Sequence, residues 1–198
     1  MPRAHRERSP RSARRPRSAY RIRRARPSDM RVLIEHRVAM FREIRPLPAI
    51  EFRRHASVYR SWLAARLRDR SALAMVAVDG SGTVVASGCL WWQPSQPRPG
   101  MPGRTVPYIF SMFTDPAHRG RGLASALVGR LIGHAQKRRA PRVLLHASEA
   151  GRSVYARLGF ERTWEMRLWL DPKIARARAT AERRAPARRR RRPRVPAR

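Results

Sequence analysis

The chain is poor in cysteine, in acidic residues and in long apolar runs, and each shortage closes off a class of function. Cys89 is the only cysteine among 198 residues. A disulfide framework and a cysteine metal site are therefore excluded within one chain. No apolar run approaches the roughly 20 residues that span a bilayer, and the N-terminus has no apolar stretch of a secretory signal. The expectation is a cytoplasmic protein with no membrane partner. An Arg/Ser-rich, acid-poor start has something of an organelle transit segment, but Pro2, Pro10 and Pro16 spoil an amphipathic helix. Lysine is scarce too. Lys137 and Lys173 stand beside 44 arginines, and 46 basic residues face 13 acidic ones for a net charge of +33. Such a preference for arginine has two readings, a biased genome or selection for contact with anions.

The charge is unevenly spread. Residues 1–19 carry +6 and residues 172–198 carry +11, leaving +16 on the 152 residues between. Both ends hold almost no large apolar side chains and cannot bury enough surface to offset their ordering entropy, so they read as disordered tails. Basic blocks of this kind bind nucleic acid largely without regard to sequence. They contain neither interleaved aromatics nor zinc spacing. The middle, residues 20–171, has the apolar content of one globular domain.

Within that domain, Tyr20–Arg26 alternates weakly and reads as a first strand. Pro27-Ser28-Asp29 marks a helix start with Ser28 or Asp29 as cap. Met30, Leu33, Ile34, Val38 and Phe41 then recur at helical spacing. Pro46 and Pro48 stop this helix, and a second fits residues 50–68. Two apolar runs around Asp79-Gly80-Ser81-Gly82 predict a hairpin. Residues 93–105, with four prolines and two glycines, form a loop. Residues 106–114 (VPYIFSMFT) read as a strand, with Pro107 at its start or on an irregularity. A helix stripe runs through Leu123, Leu127, Leu131 and Ala135. Residues 142–147 read as a short buried strand, Ser148-Glu149 as the cap of a short helix ending at Gly159, and Phe160–Leu170 as a final strand. The order is β-α-α-β-β-β-α-β-α-β.

The informative stretch is DPAHRGRGLASAL, Asp115 to Leu127. Glycines directly before a helix let an anion approach backbone N–H groups that the helix leaves unpaired. A strand–turn–helix of this form suits a pyrophosphate. Arg119-x-x-Gly122-x-Ala124 resembles the Q/R-x-x-G-x-G/A signature of the GNAT superfamily of N-acetyltransferases. Arg130-x-x-Gly133-x-Ala135 fits the same pattern, but its N–H groups are used up inside a helix. The layout of Met112–Gly122 is similar to that family's fourth strand and third helix, and VYARLGF at 154–160 is similar to its L-Y-x-x-L-G-F segment. The P-loop and dinucleotide fingerprints are absent.

The resemblance implies an α/β fold with a central, mostly antiparallel mixed sheet and flanking helices. It also implies transfer of an acetyl group from acetyl-CoA to a primary amine by direct attack. Carried over by position, the backbone of Met112, Phe113 and Thr114 lines the pantetheine arm. Arg119, Gly120, Arg121, Gly122, Leu123, Ala124 and Ser125 hold the pyrophosphate, chiefly through backbone amides. Tyr155 matches the tyrosine that protonates the leaving thiolate. Ser148 stands where many relatives carry a CoA-contacting Asn, although capping a helix is its simpler role. The sequence departs from the family at the base. Residues 108–114 and 142–147 contain no carboxylate, which leaves His146 as the best-placed titratable group, with Glu149 and Glu43 weaker candidates or a water chain in their place. Trp91 and Trp92 should face opposite sides of their strand, and Cys89 reads as a core residue.

The amine acceptor is a small molecule or a peptide. Few acids stand near the expected pocket (Glu35, Glu43, Glu51, Glu165), so an acidic or neutral amine suits it better than a polycation. The alternative is a nucleic-acid-associated protein acting through its basic tails, with the GNAT domain secondary or inactive. A homodimer is compatible with either.

Overall fold

A computed structural model describes residues 19–44, 48–166, 168, 170–172 and 176; both expected tails lie almost wholly outside them. The chain divides into two compact units after Phe160. In the first, β1 (Arg21–Arg24), α1 (Met30–Ile44), α2 (Ala49–Arg68), β2 (Ala72–Val78), β3 (Val84–Pro94), β4 (Thr105–Thr114), α3 (Leu123–Lys137), β5 (Leu144–Leu145) and α4 (Arg152–Arg157) follow one another. The strands form one sheet in the order β1-β2-β3-β4-β5. Three pairings are antiparallel and β4–β5 is parallel.

The apolar run of β2 follows from burial on both faces. Ala74, Val76 and Val78 pack with Leu33, Ile34, Tyr59 and Leu63 of α1 and α2. Leu73 joins Leu90, Ile109, Val128 and Leu131 on the α3 side, and Ala77 joins Leu123 and Leu127 there. The predicted hairpin closes on Asp79, whose Oδ1 accepts from the N–H groups of Ser81 and Thr83, both at 2.9 Å.

β4 carries the feature that shapes the site. Cys89 pairs with Phe110 and Ser87 with Phe113, so β4 has one residue more than β3 over this span. The extra residue brings Ser111 to φ +51°. Such a bulge resets the alternation of the strand. Ile109 and Met112 pack on the α3 side, while Phe110 packs against Trp62 of α2 and Phe113 against His36 of α1. Gly88 on β3 makes room for Met112, whose sulfur occupies the space a Cβ there would need.

Four expectations need correction. Ser28 and Asp29 do not cap α1. Residues 27–29 form a 3-10 turn instead, and Asp29 Oδ2 accepts from the Arg26 N–H at 2.6 Å. Pro107 lies within β4, opposite Trp92, and the irregularity falls four residues later, at Ser111. The strand expected at 142–147 shrinks to the half-buried Leu144–Leu145, because only Tyr108 and Ile109 run alongside it. The described residues of Phe160–Leu170 form no strand. Their alternation suits burial of one face, yet Trp164, Met166, Leu168 and Leu170 are each more than 80% exposed.

The chain's entry into α1 rests on the Arg23–Asp29 pair, bidentate at 2.6 and 2.9 Å. The Arg23 guanidinium holds the Asp29 carboxyl below its usual range against the opposing effect of burial. Replacing Asp29 by Asn should cost about 2–3 kcal/mol at pH 7, read by urea unfolding. A depressed folded pKa stabilises above the unfolded value near 3.9 and ceases to do so as pH falls through the folded one. Wild type and variant should therefore converge as pH falls through the folded pKa of Asp29. An unchanged urea midpoint at pH 7 would refute the role.

Candidate active site

The end of β4 passes directly into the glycine turn. Asp115 donates its N–H to Val85 O at 2.9 Å and accepts from Ala117 N–H at 2.9 Å, which starts the 3-10 turn Pro116–His118. Gly120 and Gly122 both stand at φ +76°, and Gly122 is the N-cap of α3. Nothing lies within 4 Å of a Cβ built at either position, so their need for glycine is conformational rather than one of space. The first intrahelical bond of α3 runs from Ala126 N–H to Gly122 O at 3.0 Å. The N–H groups of Leu123, Ala124 and Ser125 precede it and make no intrahelical bond. The Leu123 side chain is buried in the core, which fixes the direction of that helix end.

The two motif arginines are occupied with the fold. Arg119 donates Nε–H to Thr114 O at 3.0 Å and pairs with Glu43 of α1 at 2.5 Å. Arg121 donates to the Tyr20 hydroxyl at 2.7 Å, and Tyr20 also meets His118 Nδ1 at 3.0 Å. Glu43, considered as a base, is thus committed to Arg119. The second copy of the motif lies wholly inside α3.

At the other end of the opening, β4 and β5 pair only at Tyr108–Leu144 and Ile109–Leu145 and then separate. Tyr155 of α4 rests edge-on against Phe160, with ring centroids 5.9 Å apart. Gly151 admits this ring, since a Cβ there would fall 2.8 Å from Tyr155 Cε2. Burial, and to a lesser degree Tyr108, raise the Tyr155 pKa, so the phenol stays protonated. His146, just beyond β5, is exposed and hydrogen-bonds through Nδ1 to the Tyr108 hydroxyl. Ser148 accepts at Oγ from Gly151 N–H at 3.2 Å, and its carbonyl accepts from Arg152 N–H at 3.1 Å. It closes the turn before α4, whose own N-cap is Gly151.

Sequence reasoning passed over a third group, on the α1–α2 face of the bulge. Arg37 of α1 donates Nη1–H to Ser111 Oγ at 2.5 Å and Nε–H to His55 Nε2 at 3.0 Å. Its guanidinium carbon lies 4.1 Å from the Tyr59 ring centroid and 4.9 Å from that of Phe41. The Tyr59 hydroxyl meets Ser111 Oγ at 3.1 Å. Burial lowers the Arg37 pKa, and burial together with Arg37 lowers that of His55. A signal was present: Arg37 follows Ile34 by three residues and precedes Phe41 by four, so it sits on the apolar stripe of α1. Nearby, His36 is buried with Nδ1 2.9 Å from Ser87 Oγ. Trp91 packs edge-on against Trp62 of α2, while Trp92 joins the α3-side core, as alternation requires. Burial pushes the Cys89 thiol up to about 12, which leaves it inert.

A sequence model of the Acetyltransferase (GNAT) family matches residues 37–160. A glucosamine 6-phosphate N-acetyltransferase of Trypanosoma brucei brucei is 35% identical over 91 residues, 46% of this chain and 59% of that protein. An uncharacterized N-acetyltransferase of Methanocaldococcus jannaschii is 32% identical over 116 residues, 57% of this chain and 48% of that protein. The chain thus spans about half the length of these curated relatives. The crystal structure of a GCN5-related N-acetyltransferase from Ralstonia eutropha superposes with a TM-score of 0.70 at 32% identity, over 76% of this chain and 98% of the other. A predicted acetyltransferase from Clostridium acetobutylicum, solved with acetyl-CoA, gives 0.68 at 24% identity over 77% and 96%. The glycine turn, the bulged β4 and the Tyr155 helix all lie within the matched span, and the chain belongs to the GNAT family of acetyltransferases.

Proposed function

We propose that the protein transfers an acetyl group from acetyl-CoA to a primary amine of a small molecule or peptide by direct attack. The observation that carries this is the turn Arg119–Gly122, whose positive-φ glycines open onto the unpaired N–H groups of α3 in a chain of the GNAT family. The amides of Gly120–Ser125 suit a pyrophosphate through partial positive charge and close approach. The backbone of Met112–Thr114 lines the pantetheine arm where β4 and β5 part.

Acetyl-CoA supplies the activated acyl group. In the transfer, the amine nitrogen bonds to the acyl carbon and the carbon–sulfur bond breaks. The amine proton passes to His146, and the Tyr155 hydroxyl gives its proton to the leaving sulfur. This use of His146 requires the tautomer in which Nδ1–H donates to Tyr108, which leaves the lone pair on Nε2. Tyr108 bonds to His146 and acts electrostatically on Tyr155, so it is close to both proton carriers. Cys89 takes no part, because direct transfer needs no acyl-enzyme and its thiol is buried and protonated. Any nucleic-acid binding belongs to the +6 and +11 tails. Removing residues 1–18 and 173–198 should abolish it and leave acetyl transfer intact.

Calorimetry with acetyl-CoA tests the seat. Gly122→Val forces a β-branched side chain into a left-handed conformation at a cost of about 1–2 kcal/mol. Affinity should fall roughly 5- to 30-fold, more than for Arg121→Ala, whose guanidinium serves Tyr20. The reverse order would overturn the assignment of the grip to the amides.

Tyr155→Phe should lower kcat by about 10²–10⁴-fold and leave acetyl-CoA affinity unchanged. Since the folded phenol titrates above its ordinary value near 10, wild-type kcat should keep its acid-dependent component throughout the neutral range. A kcat equal to wild type in the Phe variant would remove Tyr155 from the mechanism.

A further inference from the structure

Arg37 stands out among the described arginines because it is withdrawn from water without a carboxylate beside it. Arg23, Arg31, Arg54, Arg66 and Arg119 each have a carboxylate within 4 Å. Arg37 has none among the described residues, although it is drawn into the protein between α1, α2 and β4. The segment joining α1 to α2, Arg45-Pro46-Leu47, contains no acid that could supply one. Withdrawing a cation from water without an anion is costly. The cost is only partly offset by the faces of Tyr59 and Phe41 and by two neutral hydrogen-bond acceptors.

The same contacts fix the guanidinium in one orientation. Nε–H is committed to His55 and Nη1 to Ser111. Nη2 is tied to neither His55 nor Ser111, and it is not among the fully buried polar atoms left without a partner, so it keeps some exposure. A planar fork held on two sides with one edge open is the geometry that grips an oxyanion. His55 accepts at Nε2, so its neutral ring carries the proton on Nδ1 and is a second donor. Ser111 immediately precedes the Met112–Thr114 backbone assigned above to the pantetheine arm. The bulge turns Ser111 toward α1 and α2 and Met112 toward α3, so this cation stands on the other face of β4 from Met112.

We propose that Arg37, held by His55, Tyr59 and Ser111, is a subsite for a carboxylate or phosphate group carried by the amine substrate. The proposal rests on the amine-acetyltransferase reading and specifies its acceptor as an anionic amine. The anion supplies the countercharge that the fold leaves out, and Nη2 with the second Nη1 hydrogen supplies the donors. The function is specificity rather than bond-making, so losing it should raise KM for the anionic amine and spare the acetyl-CoA site.

The full chain should be tested in about 0.3 M salt, where the Debye length is near 5–6 Å and the basic tails are screened. Binding of matched probes is followed by ligand-observed NMR with and without CoA: glucosamine 6-phosphate against glucosamine, and alanine against alaninamide. Wild type should prefer one anionic member by roughly 10- to 100-fold, and which pair responds separates phosphate from carboxylate. Arg37→Gln should bring that ratio to about one while CoA affinity, measured by calorimetry, falls far less, since Tyr59 and the β3 pairings of Phe110 and Phe113 still hold the bulge. Arg37→Lys, which keeps charge and bulk but not the fork, should retain only part of the preference, and it gives the same reading if the Gln variant does not fold. No preference in wild type, or a preference that survives in both variants, overturns the subsite. Absence of CoA binding in wild type would instead overturn the acetyltransferase reading, and the probe ratio still decides on Arg37.

Discussion

The site depends on one extra residue in one strand. With Ser111 at φ +51°, β4 can turn Phe110, Ser111 and Phe113 toward α1 and α2 while Met112 packs against α3. Unbroken alternation would send Ser111 and Phe113 to the α3 side and Met112 to the other. The strained residue is held through its side chain by Arg37 and Tyr59, and its neighbours Phe110 and Phe113 are paired with β3 on either side. A serine tolerates the left-handed region poorly and remains there because the surroundings over-determine it. The energy stored at Ser111 is therefore repaid by hydrogen bonds that also orient Arg37. Strand geometry and acceptor recognition are one structural device.

The same economy governs the glycine turn. Its opening onto α3 requires β4 to end where it does, and Arg119 secures that end twice, at Thr114 O and at Glu43 of α1. Arg121 secures the turn to Tyr20, next to β1. Each contact is individually modest because it is exposed to solvent. Together they tie elements distant in sequence to one short turn, so the direction of the α3 amides is set by the whole first unit. This is why backbone amides are the better candidates for the anion grip: they point outward by construction, while the motif's side chains are turned back onto the protein.

Most of this fold was legible because its signals are periodic. The stripes of α1, α2 and α3, the two-face apolar run of β2 and the Asp79 hairpin each follow from burial acting on a regular repeat. The turn at Arg119–Gly122 was legible as a strand-to-helix junction because two glycines stand directly before an apolar helix. What escaped was non-periodic. The bulge at Ser111 depends on register with β3, which local sequence does not encode. Arg37 was hidden because an arginine on an apolar stripe is counted as a break in the pattern, although the break was the clue. The short strand at 142–147 and the alternation of Phe160–Leu170 failed for a different reason. A strand needs a partner as well as a pattern, and a ladder of two residues at β4–β5 is all the described chain provides.

A chain with 44 arginines invites the view that charge itself marks function. The structure argues against counting. Arg31, Arg54 and Arg66 pair along their own helices or with a helix's capping Asp, which is how an arginine-rich composition is rendered harmless to a fold. Arg23 and Arg119 join elements that must meet, so they serve the architecture. Arg37 alone combines burial, aromatic walls and a missing counterion among the paired and caged arginines described above. A cation in water is neutralised at little cost by mobile ions, whereas one drawn into the protein is neutralised only by a group shaped to reach it. Specificity for an anionic partner therefore resides where the protein has withheld its own carboxylates, and the abundance of arginine elsewhere carries no information about it.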